Sequence, residues 1–469
     1  MATVTCPGCQ ERDERIAALE RRVAELEATV RDLAARLGTN ATNSGTPPSA
    51  NPPGAPKPVT KKRTGKRPGG QPGHPARLKR RLPPERLSEV VPFAPSHCER
   101  CHAPLPPRPG PDDPEPTWHQ VAELPPVAAQ VTEYQGHYRT CLGCGRLNHA
   151  PIPRALKAHS VGPRLAATLG YLAGSHRVSQ RGLEEITEDV FDVPVSVGTV
   201  ANLQAQLSDA LAGAHAEALG AVRAAAVKHA DETSWKLAGR LCWLWVAATA
   251  TVAAFLVHAH RSAAALQALL GAAIRGVVCS DRWSAYAGLP LAQRQVCWAH
   301  LKRDFQKCVD RGGQAAAVGE VGLAVVEAVF QEWHCFRGGG LSRAGLQRRL
   351  GPLARALDEA LALGQRCADA KVAAFCANVQ ALGPALWTFA AQDGVEPTNN
   401  HAERVLRRGV LWRKNAFGSH SEGGCRFVER LLTVVQTRRL QGRSVLAYLY
   451  EALLAHRKGL PAPSLLAAG

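Results

Sequence analysis

Between Asp32 and Glu85 the chain has no acidic residue, while ten Lys or Arg fall from Lys57 to Arg81. Residues 47–116 also hold 20 of the 33 prolines. Together these exclude a self-sufficient folded unit over 38–84, because such a stretch cannot bury enough apolar surface. The first residues lack a basic run followed by an apolar one, so no secretory signal is expected. The 14 cysteines are then expected as thiols or metal ligands in a reducing cytoplasm, not as disulfides. Acid is short in the whole chain as well. Lys and Arg total 57 against 39 Asp and Glu, a formal charge of +18. That excess points to a polyanionic partner, most simply nucleic acid, and to a cytoplasmic, nucleoid-associated protein. An apolar content of 45 % excludes wholesale disorder, and 469 residues suit about three structural units. Leu241 to His260 lacks Asp, Glu, Lys and Arg for twenty residues, long enough to span a bilayer. Its two histidines, its Val, Thr, Trp and Phe, and its Ala-Thr-Ala-Thr break predict two packed strands instead, with no membrane partner.

The patterning divides the chain. In 1–37, Ile16, Val23, Val30 and Leu37 fall at heptad position a, and Leu19, Leu26 and Leu33 at d. Mostly β-branched residues at a with Leu at d favour a parallel two-stranded coiled coil, in which Arg15 faces Glu20 and Arg22 faces Glu27 of the other chain. Residues 38–84 read as a basic arm that tracks phosphates, with Lys61, Lys62, Arg63, Lys66 and Arg67 as DNA contacts. Residues 85–158 hold Cys98-x2-Cys101 and Cys141-x2-Cys144, two thiolate pairs suited to one tetrahedral Zn²⁺. The 39 residues between them exceed the usual ribbon spacing, and Cys6-x2-Cys9 is a further pair without an obvious partner.

Residues 159–222 read as helices. Gln180 to Asp189 and Val197 to Leu207, the second capped by Ser196, have the layout of a helix-turn-helix DNA reader, which packed helices share. From 223 to 309 the period changes. Strands are expected at Ala226 to Ala230, Leu241 to Ala248, Val252 to Ala259, Gly276 to Ser280 and Val296 to Trp298, with helices at Ser262 to Leu270 and His300 to Val309. The order β-β-β-α-β-α-β-α is that of the ribonuclease H fold, an α/β sheet flanked by helices. Residues 310–395 read as a helical insertion, 396–440 as the last part of the core, and 441–469 as a helix and tail without assigned function. The expected whole is a multidomain chain: N-terminal coiled coil, zinc-binding module, helix-turn-helix-like region and ribonuclease H-like catalytic core.

Three acids stand out by placement. Asp231 is expected to end the first strand, Asp281 ends the fourth, and Glu403 begins a late helix that Asn399 or Asn400 would cap. Two carboxylates on neighbouring strand ends and a third from a helix make a hard oxygen site for two Mg²⁺ or Mn²⁺ ions, the apparatus of in-line phosphoryl displacement. Each has a bland reading as well: Asp231 as a solvated strand end, Asp281 as a cap, Glu403 as half of a capping box with Asn400. Arg404, Arg407 and Arg408 follow Glu403 and would hold DNA phosphates.

At these residues the chain resembles a DDE transposase of the insertion sequence 66 family. The matching motifs are NATNSGTPPS (40–49), KRPGGQPGH (66–74), the Cys-x2-Cys pairs, ADETSW (230–235), SDRWSAY (280–286), CWAHLKRDF (297–305), PTNNHAERVLRR (397–408) and RKNAFGS (413–419). The first departs from the family pattern in lacking its second Ser and its Lys. The resemblance implies Asp231, Asp281 and Glu403 as the catalytic triad, a helical insertion before the glutamate, and cleavage and joining of DNA 3′ ends at terminal inverted repeats. It also implies that His300 and Arg303 lie near the site as DNA contacts, with Lys414 and Asn415 as candidates for end recognition. A homodimer or higher oligomer and accessory proteins of the same element are the expected partners. The alternatives are an inactive relic acting as a zinc-dependent DNA-binding regulator, or a nuclease of the same fold.

Overall fold

The computed structural model describes residues 15–27, 29–30 and 81–466. Lys61, Lys62, Arg63, Lys66 and Arg67 of the arm, Cys6 and Cys9, and the heptad residues Leu33 and Leu37 lie outside the described residues. Residues 15–27 and 29–30 are helical (α1), and their seam of Ile16, Leu19, Val23, Leu26 and Val30 is exposed. No residue from 81 to 160 is buried. This segment holds two short antiparallel strands, β1 (Tyr138–Thr140) and β2 (Leu147–His149), and the turn α2 (Arg154–Lys157).

A helical layer follows: α3 (Pro163–Tyr171), a π-helical turn Leu172–His176, α4 (Gln180–Asp189), α5 (Val197–Ala210) and α6 (Ala212–Ala224). Ser179 and Ser196 cap α4 and α5 by accepting the Gly182 and Thr199 N–H groups. The sheet is built from β3 (Val227–Leu237), β4 (Arg240–Ala248), β5 (Ala253–His258), then α7 (Ala263–Leu270), β6 (Val277–Ser280) and β7 (Arg294–Val296). Its order is β5-β4-β3-β6-β7, with β3, β4 and β5 antiparallel in turn and β6 parallel to both β3 and β7. The apolar stretch from Leu241 thus becomes two strands joined at Thr249–Val252, as its Ala-Thr-Ala-Thr break predicts.

Two expectations are corrected. The first strand does not stop at Ala230 but runs on to Leu237, because its polar residues find partners across the sheet and from a later helix. Between β6 and β7 there is no α-helix, only two 3-10 turns, Ser284–Tyr286 and Leu291–Gln293.

After β7 come α8 (Trp298–Val309) and the helical insertion α9 (Gly313–Arg337), α10 (Arg343–Gly364), α11 (Ala370–Ala381), α12 (Gly383–Leu386) and α13 (Thr388–Ala391). α9 is long and apolar enough to cross a membrane, but Ala315, Val318, Val325, Val326, Val329 and Trp333 pack into the core of the insertion. Trp298 Nε1 and Gln295 Nε2 both donate to the Leu386 carbonyl, tying that core to the sheet. The chain closes with α14 (Asn400–Ala416), α15 (Glu422–Leu440) and α16 (Val445–Arg457). α14 lies on the face carrying Trp235, Leu244 and Val246. It approaches so closely that a Cβ on Gly409 would meet Leu244 Cδ2 at 2.5 Å. On the other face α3 to α7 and α16 share one apolar cluster with Ala230, Trp245 and Ala247.

α15 covers the outer edge of β5. Glu429 Oε1 accepts the Val257 N–H at 2.5 Å, Thr433 Oγ1 that of Phe255 at 3.0 Å, and Thr437 Oγ1 that of Ala253 at 3.1 Å. Four helical residues rise about 6 Å and two strand residues about 6.7 Å, so the two series stay in step. An edge that would otherwise recruit another strand is thereby capped. Burial outweighs the Arg426 guanidinium 2.9 Å from Glu429 and pushes the carboxyl up to about 7. Glu429 therefore holds a proton in the folded state that the unfolded chain has released, so stability falls as pH rises from about 4.5 to 7 and levels off above. Glu429→Gln keeps the acceptor and cannot ionise. Thermal melts should place it level with the parent near pH 5 and above it at pH 8, by up to about 3 kcal/mol; identical pH profiles would refute this.

Candidate active site

β3 and β6 set the first two acids. Val227, Lys228 and His229 pair with Val277, Val278 and Cys279, a constant offset of 277 − 227 = 50 residues. Continued two residues, the same offset sets Asp231 level with Asp281 (281 − 231 = 50), one still inside its strand and the other just past the end of β6. Asp231 Oδ1 accepts the Glu232 N–H and Asp281 Oδ1 the Trp283 N–H, each at 2.9 Å. Strand alternation sends Asp231 to the Trp235 side, under α14, and Glu232 to the opposite face.

Glu232, which the sequence reading passed over, is a buried carboxylate. It accepts the Tyr286 hydroxyl at 2.6 Å and the Arg261 Nε at 2.7 Å. Arg261 reaches toward Asp281 Oδ2 at 3.9 Å and stacks on the Trp283 ring at 3.8 Å. Burial raises the Asp231 carboxyl well above the usual range, and the charges of Glu232, Asp281 and Glu403 add to it. Burial raises Glu232 too, against its bonds to Tyr286 and Arg261. Such a gathering of carboxylates fits the donor set of hard divalent cations.

Glu403 sits in the first turn of α14. Neither Asn399 nor Asn400 caps that helix with its side chain, and no capping box forms. Asn399 is instead buried between elements. Its Nδ2 donates to the Ala230 carbonyl at 2.7 Å, its Oδ1 lies 3.3 Å from His229 Nδ1, and its N–H donates to Cys297 Sγ at 3.1 Å. One asparagine thus fixes the start of Glu403's helix to the residue preceding Asp231. His300 Nδ1 faces Glu403 Oε1 at 3.6 Å, and burial, then the Arg303 charge, lowers the His300 pKa.

Among the described residues, Cys297, His300 and Glu403 are the group whose potential ligand atoms all lie within 4.8 Å of one another; the three acids do not close to that distance. Arg404 and Arg407 are exposed beside Glu403, and Arg303 is half-buried. Arg408 is committed elsewhere, donating to the Ser175 carbonyl at 2.8 Å. Lys414 and Asn415 are exposed at the far end of α14, about 16 Å along the helix from Glu403. In the same motif Arg413 donates to the Thr233 hydroxyl at 3.0 Å and to Ser234, and Ser419 Oγ accepts the Trp235 Nε1–H at 3.2 Å. RKNAFGS therefore binds to ADETSW, holding α14 against β3.

The two Cys-x2-Cys turns are alike. Cys98 N–H donates to the Ala103 carbonyl and Cys141 N–H to that of Arg146. His102 and Gly145, each four residues after the first cysteine, take left-handed φ of 58° and 71°. The Cys101 and Arg100 amides draw the Cys98 thiol down, and those of Cys144 and Gly143 draw down Cys141. Amides aimed at sulfur stabilise thiolate, the form that binds metal. No three of these four sulfurs lie within 4.8 Å of one another.

The model of the Transposase IS66 family matches residues 159–426, more than half of the 469-residue chain. The chain belongs to the IS66 transposase family. That matched span runs from the helical layer through the sheet, the insertion and Glu403 to the start of α15, so it holds Asp231, Asp281 and Glu403. A second model, a family of unknown function (DUF6444), matches residues 5–80. The Sinorhizobium fredii (strain NBRC 101917 / NGR234) protein named "Uncharacterized protein y4qI" is 28 % identical over 204 residues, which cover 41 % of this chain and 38 % of that relative.

Proposed function

We propose that this IS66-family transposase binds the terminal inverted repeats of its element, hydrolyses DNA 3′ ends and joins them to target DNA, with Asp231, Asp281 and Glu403 as the catalytic acids. The observation that carries this reading is the β3–β6 register, which sets Asp231 level with Asp281 under the helix bearing Glu403. The strand order β5-β4-β3-β6-β7, with β3 and β6 adjacent and parallel, supports the reading of this sheet as a ribonuclease H-like core. Two divalent ions, Mg²⁺ or Mn²⁺, would supply activation of the attacking oxygen and neutralisation of the leaving one. The chain's own part is to hold the three carboxylates in place. Asn399 ties α14 to β3, Arg413 ties its other end, and Tyr286 and Arg261 keep Glu232 turned to the opposite face. Arg303, Arg404 and Arg407 are the phosphate contacts of this reading.

The rest of the chain serves DNA binding and assembly. The exposed apolar seam of α1 favours a parallel dimer, since a solvated stripe of that kind is buried by a second helix. The absence of buried residues from 81 to 160 favours a structural Zn²⁺ on Cys98, Cys101, Cys141 and Cys144, because a segment without a core needs another tie. The arm, the zinc module and α4–α5 would read the ends, with accessory proteins of the same element as further partners.

The test is incubation of the purified protein with Mg²⁺ or Mn²⁺ and duplexes carrying the element's ends. Nicking at the 3′ ends and strand-transfer product are expected. Cutting independent of end sequence would instead assign a nuclease, and end-specific binding without metal-dependent cutting a regulator.

A further inference from the structure

Two buried polar atoms meet beside the acids without a hydrogen bond between them. His300 Nδ1 and Glu403 Oε1 are 3.6 Å apart, too far for a hydrogen bond. Neither has a hydrogen-bond partner, and both are shut from solvent. In the imidazole tautomer that carries its proton on Nε2, these are two facing lone pairs, stripped of water and unfavourable unless a cation lies between them. Their separation also suits donors each about 2.1 Å from one ion.

Backbone placement produces this pairing. Cys297 is the N-cap residue of α8 and Asn399 that of α14. The Asn399 N–H donates to Cys297 Sγ at 3.1 Å, pinning the two helix starts together. His300, three residues on from Cys297, and Glu403, four on from Asn399, then project from the first turns toward each other. Cys297 lies within 4.8 Å of both, but its sulfur is engaged by that N–H, and burial pushes its thiol up to about 11. It serves as the post between helices and not as a ligand.

We propose that His300, through Nδ1, ligates the same divalent ion as Glu403, making this half of the site a mixed imidazole–carboxylate centre. The inference rests on the reading of Asp231, Asp281 and Glu403 as the metal-binding acids. It moves His300 from a DNA contact to a metal ligand. It also gives the site a stated metal preference, since oxygen-only sets suit Mg²⁺ and an imidazole nitrogen shifts affinity toward Mn²⁺ and the later transition ions.

The experiment is pulsed electron paramagnetic resonance on the full-length protein loaded with Mn²⁺, with ¹⁴N or ¹⁵N histidine. A directly bound nitrogen coupling that changes with the isotope is expected. It should vanish in His300→Asn and His300→Ala, whose Mn²⁺ affinity should fall by roughly tenfold or more. Mn²⁺ bound to the parent without nitrogen coupling overturns the proposal, as does a coupling that persists in both variants. The isotope comparison uses the parent alone, so it stands even if a variant fails to fold. A parent that cuts and joins ends in Mn²⁺ but lacks the coupling removes only His300. A parent that neither binds Mn²⁺ nor cuts overturns this inference and the catalytic reading together.

Discussion

Asp231→Asn should abolish end cleavage and strand transfer while making the metal-free protein more stable. The loss is expected to be roughly a thousandfold or more, since even the outer partners of metal ligands are worth 10- to 100-fold and Asp231 is a proposed ligand itself. The gain in stability follows from its surroundings. Burial and the charges of Glu232, Asp281 and Glu403 raise its carboxyl well above the ordinary value. A carboxyl with a raised folded pKa costs stability as pH rises above its unfolded value. Asparagine is neutral throughout, so the variant should melt higher than the parent at pH 8 in chelator, with the gap closing at low pH. Adding Mn²⁺ should raise the parent more than the variant, because only a bound ion stabilises by mass action. Opposite signs for activity and stability separate this outcome from misfolding. Parent-like cutting by Asp231→Asn would end the assignment of the first acid, and a lower melting point in chelator would contradict the electrostatic account.

The second large effect concerns the sheet edge. Thr433→Val with Thr437→Val preserves shape and removes two hydroxyls. Phe255 N–H then loses its acceptor, and Ala253 loses partners for both its N–H and its C=O. Each buried group left unpaired costs about 1–3 kcal/mol, so the three together should cost about 3–9 kcal/mol, against a whole-domain stability of about 5–15 kcal/mol. Urea denaturation should show the midpoint falling accordingly. The double Thr→Ser variant, which keeps both hydroxyls, should lose much less. Equal midpoints for the Val and Ser pairs would show that the hydroxyl ladder contributes nothing.

Much of the local structure was legible from periodicity and capping. The helix Gln180–Asp189 matches its expected bounds, Ser196 caps α5, and the uncharged stretch from Leu241 is a hairpin, because these depend on neighbours within a few residues. The three acids could be picked out for the same reason, each standing beside an apolar run or helix start. Where polar residues looked like an ending, the reading stopped short. Asp231-Glu232-Thr233-Ser234 continues β3 because Tyr286, Arg261 and Arg413, all distant in sequence, pair with it. Asn399 looked like a cap and is a clamp.

The sequence by itself determined the family, through motifs spread from the arm to RKNAFGS, and the residue types able to carry phosphoryl chemistry. Tertiary structure alone decided that Asp231 and Asp281 share a register, that His300 meets Glu403, that a helix 184 residues away in sequence seals the β5 edge, and that α16 completes the core beneath the helical layer. The reason is the range of the forces involved. Helical and strand periods report which face of an element is apolar, but not which distant face it meets. The clamp and ladder contacts join residues 102 to 184 positions apart, and their geometry exists only once the sheet and its covering helices have packed.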